Sequence, residues 1–171
     1  MIERIKKISK KAGLAPGTLV HVGEKKVKEI RMRVIDYNEN RIEEKELARI
    51  EDIISYRNKE TTTWLNIDGL HNVDVMRKIG EEFGFHPLVM EDVLNTSQRP
   101  KTEEYDDYMF VTLKMLFQDD EEPHIRHEQF SLILCENLII TFQERVGHVF
   151  EPVRERLRKS KGRIRKSEVG S

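Results

Sequence analysis

Glu91 and Asp92 stand side by side in the stretch HPLVMEDVLN (86–95), and Asn95 follows one turn after Glu91. On a helix turning roughly 100° per residue, Val89, Met90, Val93 and Leu94 share one broad face. Glu91, Asp92 and Asn95 gather on the opposite side with only Leu88 among them. Three oxygen-bearing side chains on a narrow stripe suit a hard divalent cation such as Mg²⁺, which keeps several waters and takes one or two carboxylates. The same letters also describe a solvated face whose carboxylates pair with Arg99 or Lys101, a contact worth less than about 1 kcal/mol. Spacing alone leaves both readings open.

Other chemistry finds less to stand on. GEEFGFHP lacks the spacing and the Lys-Ser/Thr of a phosphate-binding loop, and the six histidines include no H-E-x-x-H pair. His124 and His127 flank a strand start and read as solvated. No Ser or Cys sits in a nucleophile elbow. An enzyme using Glu91 and Asp92 as acid and base would need them apart in contrasting environments, unlike neighbours on one stripe. The acidic tract DDEEP at 119–123 lacks the alternating ligands and glycine of a calcium loop, so it reads as a turn. Trp64 reads as a core or interface aromatic rather than a stacking platform. Cys135, the single cysteine, lies in an apolar run, which excludes a disulfide framework and suits a reducing compartment.

The elements that must position the carboxylate pair follow from periodicity. GTLVHVG (17–23) reads as a strand. KEIRMRVIDYN (28–38) alternates Ile30, Met32 and Val34 against Arg31 and Arg33, the pattern of a half-buried strand, and RIEEKEL can return as its partner across Asn-Glu-Asn. TTTWLNIDGL (61–70) is β-branched and aromatic. Asn72 caps a helix with Val75, Met76, Ile79 and Phe83 on one face, Asp74 and Lys78 four apart on the other, and Gly84 at its end. Pro87 opens the carboxylate helix. Strand periodicity resumes through Met109, Val111, Leu113, Met115 and Phe117, and EQFSLILCENLIITFQE reads as a hairpin turning at Glu136-Asn137. The last stretch, 145–171, is basic and spaces Val146, Phe150, Val153, Leu157 and Ile164 as a helical seam for packing along another helix.

Those elements predict an α/β fold, a layered sandwich with helices on the faces of a mixed sheet. The 171 residues suffice for one domain. A net charge of −1 with 36% charged residues excludes a globally basic nucleic-acid binder. It does not exclude a local one, because the final helix gathers Arg154, Arg156, Arg158, Lys159, Lys161, Arg163, Arg165 and Lys166. No window approaches the ~20 apolar residues of a membrane span, and the N-terminus has no signal-peptide run.

Several stretches together resemble one family, the CorA-type magnesium/cobalt transporters, in their cytoplasmic N-terminal domain. They are APGTLVHVGE, TWLNIDGLHNVDVMRKIGEEFGFHPLVMEDVLNTSQRPK, DYMFVTLKM, EQFSLIL and TFQERVGHVFEPVRERLR with GRIRK behind it. The resemblance implies an α/β/α sandwich over residues 1–144 that feeds the start of a long stalk helix at 145–171. It also implies five identical subunits around a membrane pore. Mg²⁺, or Co²⁺ in its place, would bind between neighbouring cytoplasmic domains and hold the pore closed. The family's metal carboxylates fall on Glu91 and Asp92, and a further one falls on Glu151. The family's Gly-Met-Asn transport signature is not in this sequence. The chain is therefore expected to be a soluble fragment, unable to conduct ions.

Overall fold

Strand β1 (Arg31–Tyr37) alternates as expected from Arg31 to Val34, but it is not half-buried as a whole, because Val34, Ile35, Asp36 and Tyr37 are all buried. Met32 and Val34 enter the larger of two hydrophobic clusters, whereas Ile35 and Tyr37 enter a second one on the other face. A strand apolar on both faces belongs inside a sheet covered on both sides. The computed structural model describes residues 13–118, 125–160 and 163–166. Asn38 turns the chain, its side-chain oxygen accepting from the N–H groups of Asn40 and Arg41 at 3.0 and 2.9 Å. Strand β2 (Ile42–Leu47) then pairs antiparallel with β1, as RIEEKEL suggested. A 3-10 helix at Ile50–Tyr56 buries Ile50, Ile53 and Tyr56 before β3 (Thr62–Asp68) pairs on the other side of β1.

Helix α1 (Val73–Phe83) has the ends its sequence encodes. The Asn72 side chain accepts from the N–H groups of Asp74 and Val75 at 3.1 and 3.2 Å, and Gly84 closes the helix at φ 72°. Met76, Ile79 and Gly80 are buried. The expected Asp74–Lys78 pair does not form: Asp74 pairs with Arg77 at 2.6 Å, and Lys78 reaches Glu51 in the 3-10 helix at 2.8 Å. Removing the cap with Asn72→Ala is expected to cost about 1 kcal/mol, a melting shift of roughly 2–4 °C measurable by circular dichroism. Helix α2 (Pro87–Leu94) follows, with Pro87 in its first turn and His86 Nδ1 accepting from the Leu88 N–H at 3.2 Å.

The remaining strands are β4 (Lys101–Glu104), β5 (Met109–Gln118), β6 (Ile125–Leu134) and β7 (Leu138–Gln143), each antiparallel to the next. Strand β7 runs parallel to β3, which closes a seven-stranded mixed sheet in the order β2-β1-β3-β7-β6-β5-β4. The 3-10 helix, α1 and α2 cover the face of the larger cluster. Helix α3 (Glu151–Arg158) covers the other through Leu157, which packs in the cluster of Ile35, Tyr37 and Trp64. The expected α/β layering with a mixed central sheet is what the structure shows.

Two expectations fail locally. Residues 17–23 form no strand; Val22 alone bridges to Asn95. The basic tail is not one continuous helix from residue 145. Among the described residues its helix spans Glu151–Arg158, and Ser160 at φ 48° breaks the path after it. Arg165 folds back to donate to the carbonyls of Leu157 and Arg158, which replaces the hydrogen bonds a longer helix would supply. The acidic tract at 119–123 and His124 lie outside the described residues.

Candidate metal centre

Helix α2 is anchored before its carboxylates do anything. Val89, Met90, Val93 and Leu94 are buried as the stripe pattern required, and Leu88 is exposed. Its C-terminal carbonyls find partners across the sheet: buried Gln129 on β6 donates through Nε2 to Asp92 O at 3.0 Å and Val93 O at 3.1 Å. The Val22 N–H donates to Leu94 O at 3.0 Å. Carbonyls left open at a helix end are costly when buried, so these bonds fix the position of the last turn.

The polar stripe does not converge. Glu91 Oε2 accepts from the N–H of Gly17 at 2.7 Å. Gly17 sits at φ 83°, and a Cβ there would lie 3.2 Å from Pro87 Cβ, so the loop presses closely on the start of α2. Asp92 turns to Lys101, with Oδ2 2.6 Å from Nζ, and Lys101 also holds Glu103 Oε1 at 2.7 Å. Burial works against the Lys101 charge, but hydrogen bonds and attraction from Asp92 and Glu103 outweigh it and raise the ammonium above its ordinary range. Asn95 ends the helix and turns away: its Oδ1 accepts from Ser97 Oγ at 2.8 Å, and its amide donates to Gln98 at 3.3 Å.

Glu151 stands apart from both. It opens α3, on the sheet face opposite α2, and accepts from Arg158 Nη1 at 2.5 Å and Arg154 Nη1 at 3.3 Å. The Arg158 bond is the main reason its carboxyl is held below the usual glutamate value. Arg158 also reaches Glu44 on β2 at 2.7 and 2.9 Å. Much of the basic tail is engaged in this way. Arg154 is buried over Trp64, Lys159 pairs with Glu155 at 2.9 Å, and Arg165 caps α3. Half of the eight cations gathered in the tail, Arg154, Arg158, Lys159 and Arg165, are thus held by contacts within the chain.

Within the chain, then, Glu91 and Asp92 are neighbours with separate partners, and Glu151 is not brought to them. Among the described residues, no three His, Cys, Asp or Glu side chains gather closely enough to hold a metal ion. The residue that sequence reasoning underweighted is Glu103. Its i,i+2 spacing from Lys101 on one strand places both side chains on the same face, a signal visible once β4 is recognised.

Residues 59–170 match the family model described as CorA-like Mg2+ transporter protein. The chain belongs to this family. It is 44% identical over 161 residues to the cobalt/magnesium transport protein CorA of Thermotoga maritima, an alignment covering 94% of this chain and 46% of that protein. The CorA-like chain thus spans about half the length of that relative. The fold agrees with the structure of the full-length CmaX protein, with TM-score 0.60 at 15% identity over 81% of this chain and 42% of that one. It also agrees with the soluble domain of CorA from Methanocaldococcus jannaschii, with TM-score 0.51 at 14% identity over 79% and 48%. No helix among the described residues of this CorA-like chain is long and apolar enough to cross a membrane.

Proposed function

We propose that this chain is the cytoplasmic, divalent-cation-sensing part of a magnesium/cobalt transporter, with Asp92 as its principal metal ligand. Membership of the CorA-like family supports the transporter assignment. The observation that carries the sensing role is the Asp92 carboxylate, which already grips a cationic group at 2.6 Å on a rigidly anchored helix. Its side chain is 16% exposed, enough for a hydrated ion to reach. Carboxylate oxygens that hold an ammonium suit Mg²⁺ or Co²⁺ with water completing the shell, so the donor set fits. Glu91 would serve after releasing Gly17, and Glu151 after releasing Arg158.

Because Glu151 lies on the opposite face of the sheet from Asp92, a shared ion requires neighbouring identical subunits, five in the whole transporter. Residues beyond α3 would lead toward its stalk and membrane segments. An ion bound only when the subunits adopt the closed arrangement shifts the population toward it, by an amount set by the difference in affinity. Calorimetric titration of this chain with Mg²⁺ and Co²⁺ tests the reading, with sedimentation to follow association. Asp92→Asn is expected to weaken binding at least about tenfold, the equivalent of roughly 1.4 kcal/mol, with little loss of stability. An unchanged titration in that variant removes Asp92 from the site.

A further inference from the structure

Lys101 is a cation built into the same locus. Its Nζ lies 2.6 Å from Asp92 Oδ2 and 2.7 Å from Glu103 Oε1, so one ammonium bridges carboxylates on α2 and β4. The side chain lies against fixed surface: Nζ is 5.8 Å from the ring centroid of Phe110, which is wholly buried. Asp92 is held from behind by Gln129 at its carbonyl. Carboxylate, ammonium and second carboxylate are therefore aligned by elements on both sides of the contact.

The geometry points to Lys101 as a tethered competitor that sets the concentration at which a divalent cation can take Asp92. This rests on the metal role proposed for Asp92. An incoming ion meets a carboxylate already paired with an ammonium, and the two cations repel at so short a range. The apparent affinity is then the intrinsic affinity reduced by the fraction of time Asp92 stands unpaired. Lysine suits this task better than arginine would. Its charge is compact, rides a flexible stem and makes no planar two-point contact, so it can leave one carboxylate while keeping the other. Glu103 supplies that second hold, so releasing Asp92 does not strand the ammonium.

A purely structural bridge between α2 and β4 predicts the opposite sign, because removing it would disorder Asp92 and weaken binding. Calorimetric titration with Mg²⁺ and with Co²⁺ separates the two, using this chain and its Lys101→Met, Lys101→Arg, Arg99→Met and Asp92→Asn variants. Lys101→Met is expected to tighten binding roughly three- to tenfold, the range of a partly screened ion pair. Lys101→Arg should bind as the parent chain does or more weakly. Arg99→Met, which removes the same charge nearby, should stay within about twofold. The gain should vanish when Asp92→Asn is added to Lys101→Met.

If Lys101→Met binds no tighter while Asp92→Asn abolishes binding, the competitor role is overturned and Asp92 remains a ligand. A gain that survives Asp92→Asn overturns both, as does an absence of binding in every variant. Should Lys101→Met fail to fold by thermal melting, Lys101→Gln takes its place. A nuclear magnetic resonance titration of the parent chain gives a second readout: the Lys101 ε-methylene signals should move in step with metal binding. Signals that stay still while the metal binds overturn the inference.

Discussion

Phe142→Ala is expected to lower the melting temperature by roughly 6–20 °C, following a loss of about 3–5 kcal/mol. Phe142 has no solvent exposure, and it sits on β7 between β3 and β6. It pairs with Ile67 on one side and Ser131 on the other, so backbone hydrogen bonds hold the strands on both flanks apart. Its ring projects into the large cluster beneath the helices. A cavity there cannot collapse without distorting the centre of the sheet, which places the cost at the upper end of large-to-small substitutions. Calorimetric melting checks this, with Leu113→Ala on the exposed side of β5 as a control expected to shift little. A drop below about 3 °C would show that the neighbouring side chains fill the space.

Asp36→Ala should cost about 2–4 kcal/mol at neutral pH and progressively less in acid. Asp36 is fully buried on β1 and accepts from Thr61 Oγ1 at 2.6 Å, Thr63 Oγ1 at 2.9 Å and Lys59 Nζ at 3.1 Å. Burial, the largest influence, favours the neutral acid, but the hydrogen bonds and the Lys59 charge together outweigh it and hold the carboxyl below its ordinary value. A depressed folded pKa means that the charged group's stabilisation is complete above the unfolded value of about 3.9. It is lost as pH falls through the lower folded value. The difference between the parent chain and the variant in denaturant midpoint should therefore shrink as pH falls below the unfolded value of about 3.9. A difference that stays constant as pH falls would assign the loss to packing. Lys59 also lies 4.2 Å from the Tyr56 ring centroid, so the substitution should loosen the 3-10 helix as well.

Where local chemistry decides, the sequence is readable residue by residue. Asn72 and Gly84 bracket α1 because capping depends on a few adjacent groups, and the buried face of α2 follows from four apolar letters. Glu136-Asn137 separates β6 from β7 as its position between two apolar runs implied. Elements defined by partners are less legible. Strand β4 reads Lys-Thr-Glu-Glu, with nothing apolar, and exists as an edge strand because β5 offers it hydrogen bonds. The 3-10 helix is too short for periodicity to register. The apolar spacing of the tail is real but serves a mixed purpose: Phe150, Leu157 and Ile164 join the second cluster, whereas Val146 and Val153 stay exposed.

The candidate site divides along the same line. That Glu91 and Asp92 share the wet side of α2 is visible in the letters. That one turns to Gly17 and the other to Lys101 depends on segments distant in sequence, which no helical projection contains.

The parallel junction of β3 with β7 has a kinetic consequence. Thr63 meets Leu138 there and Asp68 meets Gln143, while every other strand pair joins chain neighbours or the β1–β3 pair across the 3-10 helix. The two antiparallel halves can form early from nearby contacts, but their seam must close a long loop before its hydrogen bonds repay the lost chain entropy. Refolding should be limited by this step. Until it is complete, the unpaired edge of β3 is open to wrong partners. Helix α2 lies within that loop and packs across β6, so the carboxylates that would read a cation reach their final places only as the molecule finishes folding.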